Sequence, residues 1–526
     1  MTGPKEPGAQ VPGARVHGAP PLPLAAPDAL RPGAVDVPLR PSIALLSAAL
    51  VDRVLGEACG LLLEPGVKVQ DAEAAALLAG AGARVEEGIA RIPRAVVEAA
   101  LGTVPRSFEL YDRAGNVAVR YGGDAVHFDP GSCGVSILDP ATLEHRSSRS
   151  ADLVRLVKVV ESLPAYDAQS TAVVCGDVPA EVGDLWRLVL VLLHSDKPVV
   201  TGSFSARTTD VMIELLALDA CGRDALAARP RAVFDVCPSP PLTWSAFGAG
   251  NLVQLARAGV PAEMVSMPLA GAAAPVTLIG AVVQHAAECL SGIVIHQAAR
   301  PGAPIVWGGA PAIVDMRTGA TPMGAIETAM IDASYAQVGK SLGLPTHAYL
   351  CASDAKIVDA QAGLESGLSA MVGALAGINM ISGAGMLDVL LCQSAEKLVI
   401  DAEAIGMVRR LLRGVATPTE TLAAAAFAAA GPDGRFLELP ETRRLFRSEQ
   451  HLPSKVIERG SHRAWLEAGG LDAFGRARAR VDELLAAYRR PAIEPAVEAA
   501  IVALARREAE RVGLAGLPGL EGVAPG

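Results

Sequence analysis

The feature that most constrains the fold is a repeated alternation, from Ser150 to about residue 402, of short apolar runs and amphipathic segments. The runs are almost continuously apolar, as in parallel strands that are covered on both faces. The segments between them have helical spacing, so the pattern predicts repeated β-α units. The candidate strands are Ala172–Val174, Pro198–Gly202, Ala232–Val236, Met264–Met267, Pro304–Trp307, His347–Leu350 and Asn379–Ser382, with an eighth near Tyr166 and Asp167.

Eight such units predict an α/β fold of the TIM (β/α)8 barrel type, and the alternative is an open, doubly wound sheet. The chain is 526 residues long and 51% hydrophobic, which allows a large buried core. Only 4% of its residues are aromatic, and it contains 53 glycines. This composition suits helices that pack closely on a buried parallel sheet.

The composition also divides the chain into five segments. The first is rich in proline, the second contains a hairpin signature at Gly115-Asn116 and a second turn signal at Asp129-Pro130-Gly131, and the last is rich in glycine and proline. We predict a disordered lead-in (1–41), N-terminal helices and hairpins packed on the barrel (42–150), the barrel catalytic core (151–402), a helical C-terminal region (403–512) and a flexible tail (513–526).

Several classes of protein are disfavoured. A net charge of −10 without a basic run argues against nucleic acid as a partner. The uncharged stretches 264–287 and 366–387 are interrupted by proline, glycine and polar residues, so we expect no membrane span. Eight cysteines without a C-x-x-C pair, and an N-terminus without a secretory pattern, predict reduced thiols and a cytoplasmic location.

The first group of candidate site residues surrounds the sixth candidate strand, His347–Leu350. His347, Tyr349 and Cys351 alternate, so in a strand they share one face, and an inward histidine in a barrel needs a polar partner or a ligand. Asp354 follows in the loop and is either a functional carboxylate or a helix cap. Lys356 is either a substrate contact or the partner of an ion pair with an acid three residues later on the next helix.

A second group contains Trp307, Gly308 and Gly309. A tryptophan at a barrel mouth can present its ring to a cation, and the alternative is an ordinary core tryptophan. Paired glycines allow another group to approach the backbone, and Gly383 and Gly385 do the same at a later strand end. These four glycines are candidates for contact with a flat cofactor ring. No metal site is predicted, because no histidine, cysteine or carboxylate set has a usual spacing.

In their order along the chain, several stretches resemble the trimethylamine methyltransferase family of corrinoid-dependent methyltransferases. The resemblance extends from about Leu45 to Leu514 and is most specific as a series rather than at any single motif. The matching stretches are Gly82 to Pro93, Pro275 to Gly292, Gly308 to Gly319, Ser353 to Glu365, Ala374 to Gly385, Glu396 to Asp401 and Arg459 to Gly470.

The resemblance implies a TIM barrel whose mouth receives an amine and a corrinoid (cobalamin) presented by a partner protein. In such enzymes a methyl group passes from nitrogen to Co(I). Users of trimethylamine carry pyrrolysine, whereas this chain contains only the twenty standard residues. Members without pyrrolysine are similar to glycine betaine:corrinoid methyltransferases, so the implied substrate is a quaternary amine. No corrinoid is expected to be bound permanently.

On this basis the candidate residues receive roles. We expect Trp307 and Tyr349 to offer cation–π faces, and Asp354 to supply a counter-charge. We expect His347 or an arginine to bind the carboxylate of a betaine. Two other functions stay open: a lysine-dependent barrel lyase in which Lys356 forms a Schiff base, and a non-catalytic quaternary-amine binder. We also expect a homo-oligomer, with the C-terminal helices available as a dimer surface.

Overall fold

A computed structural model describes residues 38–419 and 421–520. The chain first forms a small mixed region, in which β1 pairs with β3 and β3 with β2, and β4 and β5 form the hairpin predicted around Gly115-Asn116. Its elements are α1 (Ala48–Leu63), β1 (Val67–Val69), α2 (Ala72–Gly80), β2 (Arg84–Glu86), β3 (Ile89–Arg91), α3 (Arg94–Leu101), β4 (Phe108–Tyr111) and β5 (Val117–Tyr121).

The central part alternates buried strands with helices. Its elements are β6 (His127–Pro130), β7 (Ser136–Leu138), β8 (His145–Ser147), α4 (Ser150–Glu161), β9 (Gln169–Ser170), α5 (Gly183–His194), β10 (Val199–Thr201), α6 (Ala206–Asp219), α7 (Arg223–Ala228), β11 (Ala232–Val236), β12 (Thr243–Trp244), α8 (Ala246–Ala258), β13 (Ala262–Met264), β14 (Leu269–Ala270), α9 (Leu278–Ala299), β15 (Ile305–Gly309), β16 (Ala312–Ile313), α10 (Ile326–Ser341), β17 (Thr346–Ala348), α11 (Ala360–Leu375), β18 (Met380–Ala384), β19 (Met386–Leu387), β20 (Cys392–Gln393) and α12 (Ala395–Leu412).

Eight of these strands form one parallel sheet in the order β6, β18, β17, β15, β13, β11, β10, β9. The sheet closes between its two ends, because the Asp167 amide donates to the Phe128 carbonyl at 2.9 Å and Gly134 forms a parallel bridge with Val173. Each strand is joined to the next in the barrel by a segment that contains at least one helix. The predicted TIM barrel is therefore confirmed.

The first barrel strand is not where the sequence suggested. We expected a hairpin turn at Asp129-Pro130-Gly131 and an eighth strand near Tyr166, with the barrel starting at residue 151. Instead β6 runs through Asp129 and Pro130 and pairs in parallel with β18, so this hairpin is wrong and the barrel begins at His127. The partner strand lies about 250 residues later, and no local pattern reveals such a pairing.

The hairpin β4–β5 closes the N-terminal end of the barrel. Leu110, Val119 and Tyr121 from the hairpin form one buried cluster with apolar side chains that point into the barrel, namely Ala168, Val200, Val233, Val306 and Met380. Because alternate residues of a strand face opposite sides, this layer fixes which residues further along each strand also point inward. Asp235 and Gly308 are two of them.

The long helix α9 tests the membrane alternative. It is 22 residues long and its most apolar window has a mean hydropathy of 1.7, so length and composition alone would allow it to span a bilayer. However, 83% of that window is buried inside the protein. It packs against α1, α2, α3, α8 and α10, which is the environment of a core helix.

After the barrel the chain is mostly helical, with α13 (Ala424–Ala430), α14 (Pro440–Glu449), α15 (His462–Glu467), α16 (Ala473–Ala487) and α17 (Pro495–Arg511). Residues 40–414 and 446–520 form one compact unit, and residues 415–419 and 421–445 belong to a second one. In the second unit the rings of Phe427 and Phe436 meet edge to face at 5.1 Å.

Residues 513–520 of the predicted flexible tail contact the rest of the chain. Trp186 donates through its indole nitrogen to the Pro518 carbonyl at 3.1 Å, and Leu520 is buried. The flexibility of this segment stays a prediction. Residues 1–37 of the predicted disordered lead-in, and residues 521–526, lie outside the described residues.

Candidate active site

Two acidic side chains face each other inside the barrel, towards the carboxyl ends of the strands. Asp235 on β11 and Glu263 on β13 are direct partners in the strand register. Glu263 is completely buried and Asp235 is half-buried. Like charges at directly opposite positions destabilise a sheet, so this pair of acids lowers the stability of the folded protein. Such a cost is typical of a functional site.

A histidine and a third acid extend the cluster. His347 Nε2 lies 3.3 Å from Glu263 Oε1 and 3.1 Å from the hydroxyl of Ser382. Ser382 in turn donates to Asp129 at 2.5 Å, and Asp129 is fully buried on β6. The side chains therefore form a continuous polar network across the barrel interior, from β11 through β13 and β17 to β18 and β6.

Two tyrosines orient the carboxylates. Tyr349 donates to Asp235 Oδ2 at 2.8 Å and is also hydrogen-bonded to Ser132 at 2.8 Å. From the N-terminal end of the barrel, Tyr121 of the hairpin β4–β5 donates to Glu263 Oε2 at 2.9 Å. Each tyrosine holds one oxygen of its carboxylate, and the two carboxyl groups also interact with each other.

The remaining carboxylate oxygens are not satisfied. Asp129 Oδ2, Asp235 Oδ1 and Glu263 Oε1 are buried and have no hydrogen-bond partner. No lysine or arginine within the described residues forms an ion pair with any of the three acids. Unpaired buried acceptors of this kind are rare in folded proteins, and they indicate a place for a positively charged group.

Burial sets the protonation of the cluster. It raises the pKa of Asp235 to about 6 and moves the pKa of Glu263 and Asp129 well above the usual range. Burial also lowers the pKa of His347 to about 3, so its imidazole is neutral at pH 7. At neutral pH Asp235 is therefore mostly charged, whereas burial disfavours the charged forms of Glu263 and Asp129.

Asp235, Glu263 and His347 also form a set that one metal ion could bridge, since one donor atom from each lies within 4.8 Å of the others. The hydrogen bonds argue for a different use of the set. When Ser382 donates to Asp129, its oxygen accepts from His347 Nε2, and in that tautomer the nitrogen carries a proton rather than a free lone pair. The expectation of no metal site stays a prediction.

The structure places the predicted residues of β17 partly as expected. His347 and Tyr349 both point into the barrel and join the acidic cluster. Cys351 does not, because its backbone turns to φ 65° and its thiol lies near the buried pair Lys397–Asp401. The alternation that holds along the strand therefore ends before Cys351.

Asp354 and Lys356 lie outside the cluster. Both oxygens of Asp354 accept backbone N–H groups, from Met323 at 2.9 Å and Gly324 at 3.0 Å, so this carboxylate holds a loop. Lys356 is 64% exposed and forms an ion pair with Asp388 at 2.8 Å. A Schiff-base lysine needs a desolvated amine in the site, so the position of Lys356 does not favour the lyase alternative.

Trp307 is not at the mouth, and its predicted role as a cation–π face is wrong. Its neighbour Val306 points into the barrel, so Trp307 points outward and is fully buried between α9 and α10. Its indole donates to the Tyr335 carbonyl at 2.9 Å and its ring meets His285 edge to face. The alternative, an ordinary core tryptophan, describes it correctly.

The four glycines are closely packed rather than open to a cofactor ring. A Cβ on Gly308 would lie 2.9 Å from His347 Nδ1, and one on Gly309 would lie 2.7 Å from a histidine ring of α9. A Cβ on Gly383 would collide with the Leu350 carbonyl, and one on Gly385 with the side chain of α12 residue Leu398. They give space to neighbouring protein groups, and the predicted contact with a cofactor ring stays a prediction.

Asp129, Asp235 and Glu263 were not among the candidates, although the sequence contains a signal for them. Asp235 stands inside the run Val233 to Val236, and Glu263 lies between Ala262 and Met264. A charged residue within an otherwise apolar buried strand must face a polar interior. Asp129 carried no such signal, because its strand was read as a turn.

Proteins of known family are similar to this chain over most of its length. Residues 32–512 match the model of the trimethylamine methyltransferase (MTTB) family. The chain is 30% identical over 452 residues to trimethylamine methyltransferase MttB of Desulfitobacterium hafniense, covering 86% of this chain and 91% of that protein. It is 28% identical over 477 residues to the glycine betaine methyltransferase of D. hafniense strain Y51, covering 90% and 99% respectively.

Among solved structures, the chain is similar to the monomethylamine methyltransferase MtmB of Methanosarcina barkeri, with a TM-score of 0.49 and 13% identity. The match covers 84% of this chain and 89% of that one.

Proposed function

This chain belongs to the trimethylamine methyltransferase family, and on that premise we propose that it transfers a methyl group from a quaternary amine to Co(I). The cobalt is that of a corrinoid held by a partner protein, and glycine betaine is the model for the substrate. The observation that carries the proposal is the cluster of three buried acids with free oxygens at the barrel mouth. Asp235, which is half-buried, is the member that a ligand can reach.

A quaternary nitrogen suits this site better than a tertiary one. It carries a permanent positive charge, so it leaves as a neutral tertiary amine without prior protonation or covalent activation. The C–N electron pair stays on nitrogen, and the electron pair of Co(I) forms the new cobalt–carbon bond. The chain has only the twenty standard residues, so it holds no pyrrolysine to activate a tertiary amine.

The protein's share of the reaction is then binding, orientation and exclusion of water. Asp235 supplies the counter-charge, and Tyr349 fixes the orientation of that carboxylate. Glu263 and His347 form the wall behind it, so the cation cannot sink deeper and one methyl group points outward to the partner. The Met323 loop, held by Asp354, packs on Tyr349 and narrows the mouth.

The test is spectroscopic. The protein is mixed with a carrier protein whose corrinoid has been reduced, and loss of the Co(I) absorption is followed with glycine betaine, proline betaine, carnitine and trimethylamine. We expect methyl-Co(III) to appear with at least one quaternary amine and not with trimethylamine. Binding of a betaine without any transfer, with a competent carrier, would instead identify a non-catalytic binder.

The affinity for a quaternary amine should depend on pH through Asp235. The ligand has the same charge at every pH, so any change reports on the protein. Asp235 is neutral below a pKa of about 6 and charged above it, so affinity should rise as pH is raised through that value and then level off. The groups that face Asp235 are Tyr349, Glu263 and Arg187. Calorimetric titration across this range measures the effect, and a flat profile would contradict the role of Asp235.

Chelation should leave methyl transfer unchanged. A quaternary nitrogen has no lone pair for a metal, and His347 Nε2 is occupied by Ser382. We therefore expect dialysis against a strong chelator to alter neither the rate nor the affinity for the amine. A loss of activity that Zn²⁺ restores would show that Asp235, Glu263 and His347 bind an ion instead.

A further inference from the structure

A fully buried arginine lies beside the acidic cluster without an acidic partner. Arg187, on α5, reaches the carboxyl ends of the first three barrel strands. Its guanidinium donates to the Thr171 carbonyl at 3.0 Å, to the Cys133 thiol at 3.3 Å and to the Gly202 carbonyl at 3.3 Å. Its Nε has no hydrogen-bond partner. All of its contacts are therefore with uncharged groups.

The other strongly buried arginines are paired. Arg113 and Arg231 both form ion pairs with Asp219, and Arg113 also pairs with Asp196. Across residues 38–419 and 421–520, Arg187 forms no ion pair with a carboxylate. A buried charge without a counter-ion is strongly unfavourable, so a site that retains one normally receives an anion.

The nearest acid on the same helix does not fill this role. Asp184 stands one turn before Arg187, and its side chain accepts from the Leu185 amide at 2.8 Å, the Phe204 amide at 2.6 Å and the Thr208 hydroxyl. These donors tie the β10–α6 loop to the start of α5. Both oxygens of Asp184 are occupied, so Asp184 is not the counter-ion of Arg187.

Arg187 and Asp235 lie on either side of Gly202 and form no ion pair with each other. Gly202 lies between them: it accepts from Arg187, and a methyl group built on it would stand 3.6 Å from Cβ of Asp235. The two charges are close enough for Arg187 to lower the pKa of Asp235, against the larger effect of burial. A positive and a negative group separated by one glycine match the two ends of a short zwitterion.

We infer that Arg187 binds the carboxylate of the substrate while Asp235 and Tyr349 hold its quaternary nitrogen, so that the enzyme selects betaines over simple quaternary cations. The free Nε and the second hydrogen of the adjacent amino group form the edge that binds a carboxylate in a bidentate manner. This inference rests on the proposed function, because it assigns the second half of the same substrate.

Phe204 controls access to the guanidinium. Its ring lies 4.8 Å from Arg187 over the guanidinium plane, and the ring is 48% exposed to solvent. The exposed thiol of Cys133 covers a second side. A betaine reaches Arg187 when this ring turns outward and its carboxylate takes the place of the cation–π contact. Binding of a simple cation at Asp235 needs no such movement.

The experiment compares ligands that differ only in the anionic end. Binding to the wild-type protein and to Arg187→Met is measured by calorimetry with glycine betaine, carnitine, choline and tetramethylammonium. We expect the wild type to bind at least one betaine about 30-fold or more tightly than choline. Arg187→Met should bind that betaine and choline with similar affinity. It should bind tetramethylammonium as well as the wild type or better, because a repelling charge has been removed.

A purely structural role for Arg187 predicts another result. Loss of the strand-end hydrogen bonds would weaken all four ligands equally, and that outcome would overturn the inference, as would a wild type that prefers choline. If Arg187→Met does not fold, Arg187→Lys keeps the charge but not the bidentate edge and should show a reduced margin. Betaine binding without methyl transfer would refute the proposed function and leave this inference standing.

Discussion

Asp235→Asn is expected to weaken the binding of a quaternary amine by about 2–5 kcal/mol, a loss of about 30-fold or more. The amide keeps the size of the side chain and can still accept a hydrogen bond from Tyr349, so the cluster should retain its shape. What it removes is the negative charge that Asp235 carries at neutral pH. Titration of the variant with glycine betaine measures the loss, and its pH dependence should disappear at the same time.

Asp354→Asn is the matched control. Asp354 is a carboxylate in the loop after β17 and was the sequence-based candidate for the counter-charge, yet it accepts two backbone amides rather than facing the cluster. The amide should therefore change substrate affinity far less than Asp235→Asn does. If Asp354→Asn lost affinity and Asp235→Asn kept it, the assignment of the site would be reversed.

The stability of Asp235→Asn is an independent test of the role of Asp235. Because folding raises the pKa of Asp235, the charged carboxylate disfavours the folded state above its unfolded pKa. Replacing it with a neutral amide removes that penalty at neutral pH. Asp235→Asn should therefore be at least as stable as the wild type to denaturant while binding substrate poorly, as expected of a site that costs stability.

Most of the barrel could be predicted from the sequence because most of its strands are apolar runs that a local pattern identifies. The apolar runs that contain Ala232–Val236 and Pro304–Trp307 are long enough to identify, and they coincide with β11 and β15. The strand β6 could not be found in this way. It is short, contains Asp129 and Pro130, and is defined by its pairing with β18, about 250 residues later in the chain.

The site was only half predictable, for a geometric reason. Alternation shows that His347 and Tyr349 share a face, but it does not say which face is inside the barrel. For β17 the polar side chains settled the question correctly. For β15 the choice of Trp307 as the inward residue was wrong. The hairpin β4–β5 packs against Val306 inside the barrel, so Val306 points inward and its neighbour Trp307 points outward.

Trp307→Ala is expected to destabilise the protein by about 3–5 kcal/mol, the usual cost of removing a large buried aromatic side chain. Trp307 is completely enclosed between α9 and α10, and its indole satisfies the Tyr335 carbonyl. The substitution leaves a cavity next to Gly339, whose Cβ position would lie 2.6 Å from the indole. Denaturant unfolding, with binding of glycine betaine measured on the folded fraction, separates the two roles of this residue.

Trp307→Phe sharpens the comparison, because it keeps an aromatic ring but removes the indole N–H and part of the volume. A core role predicts a smaller loss of stability than for alanine and an unchanged affinity for glycine betaine in both variants. A cation–π role predicts the reverse: alanine would abolish affinity, and phenylalanine would preserve most of it. Because Trp307 touches no member of the Asp235 cluster, we expect stability to follow the size of the side chain and affinity to stay constant.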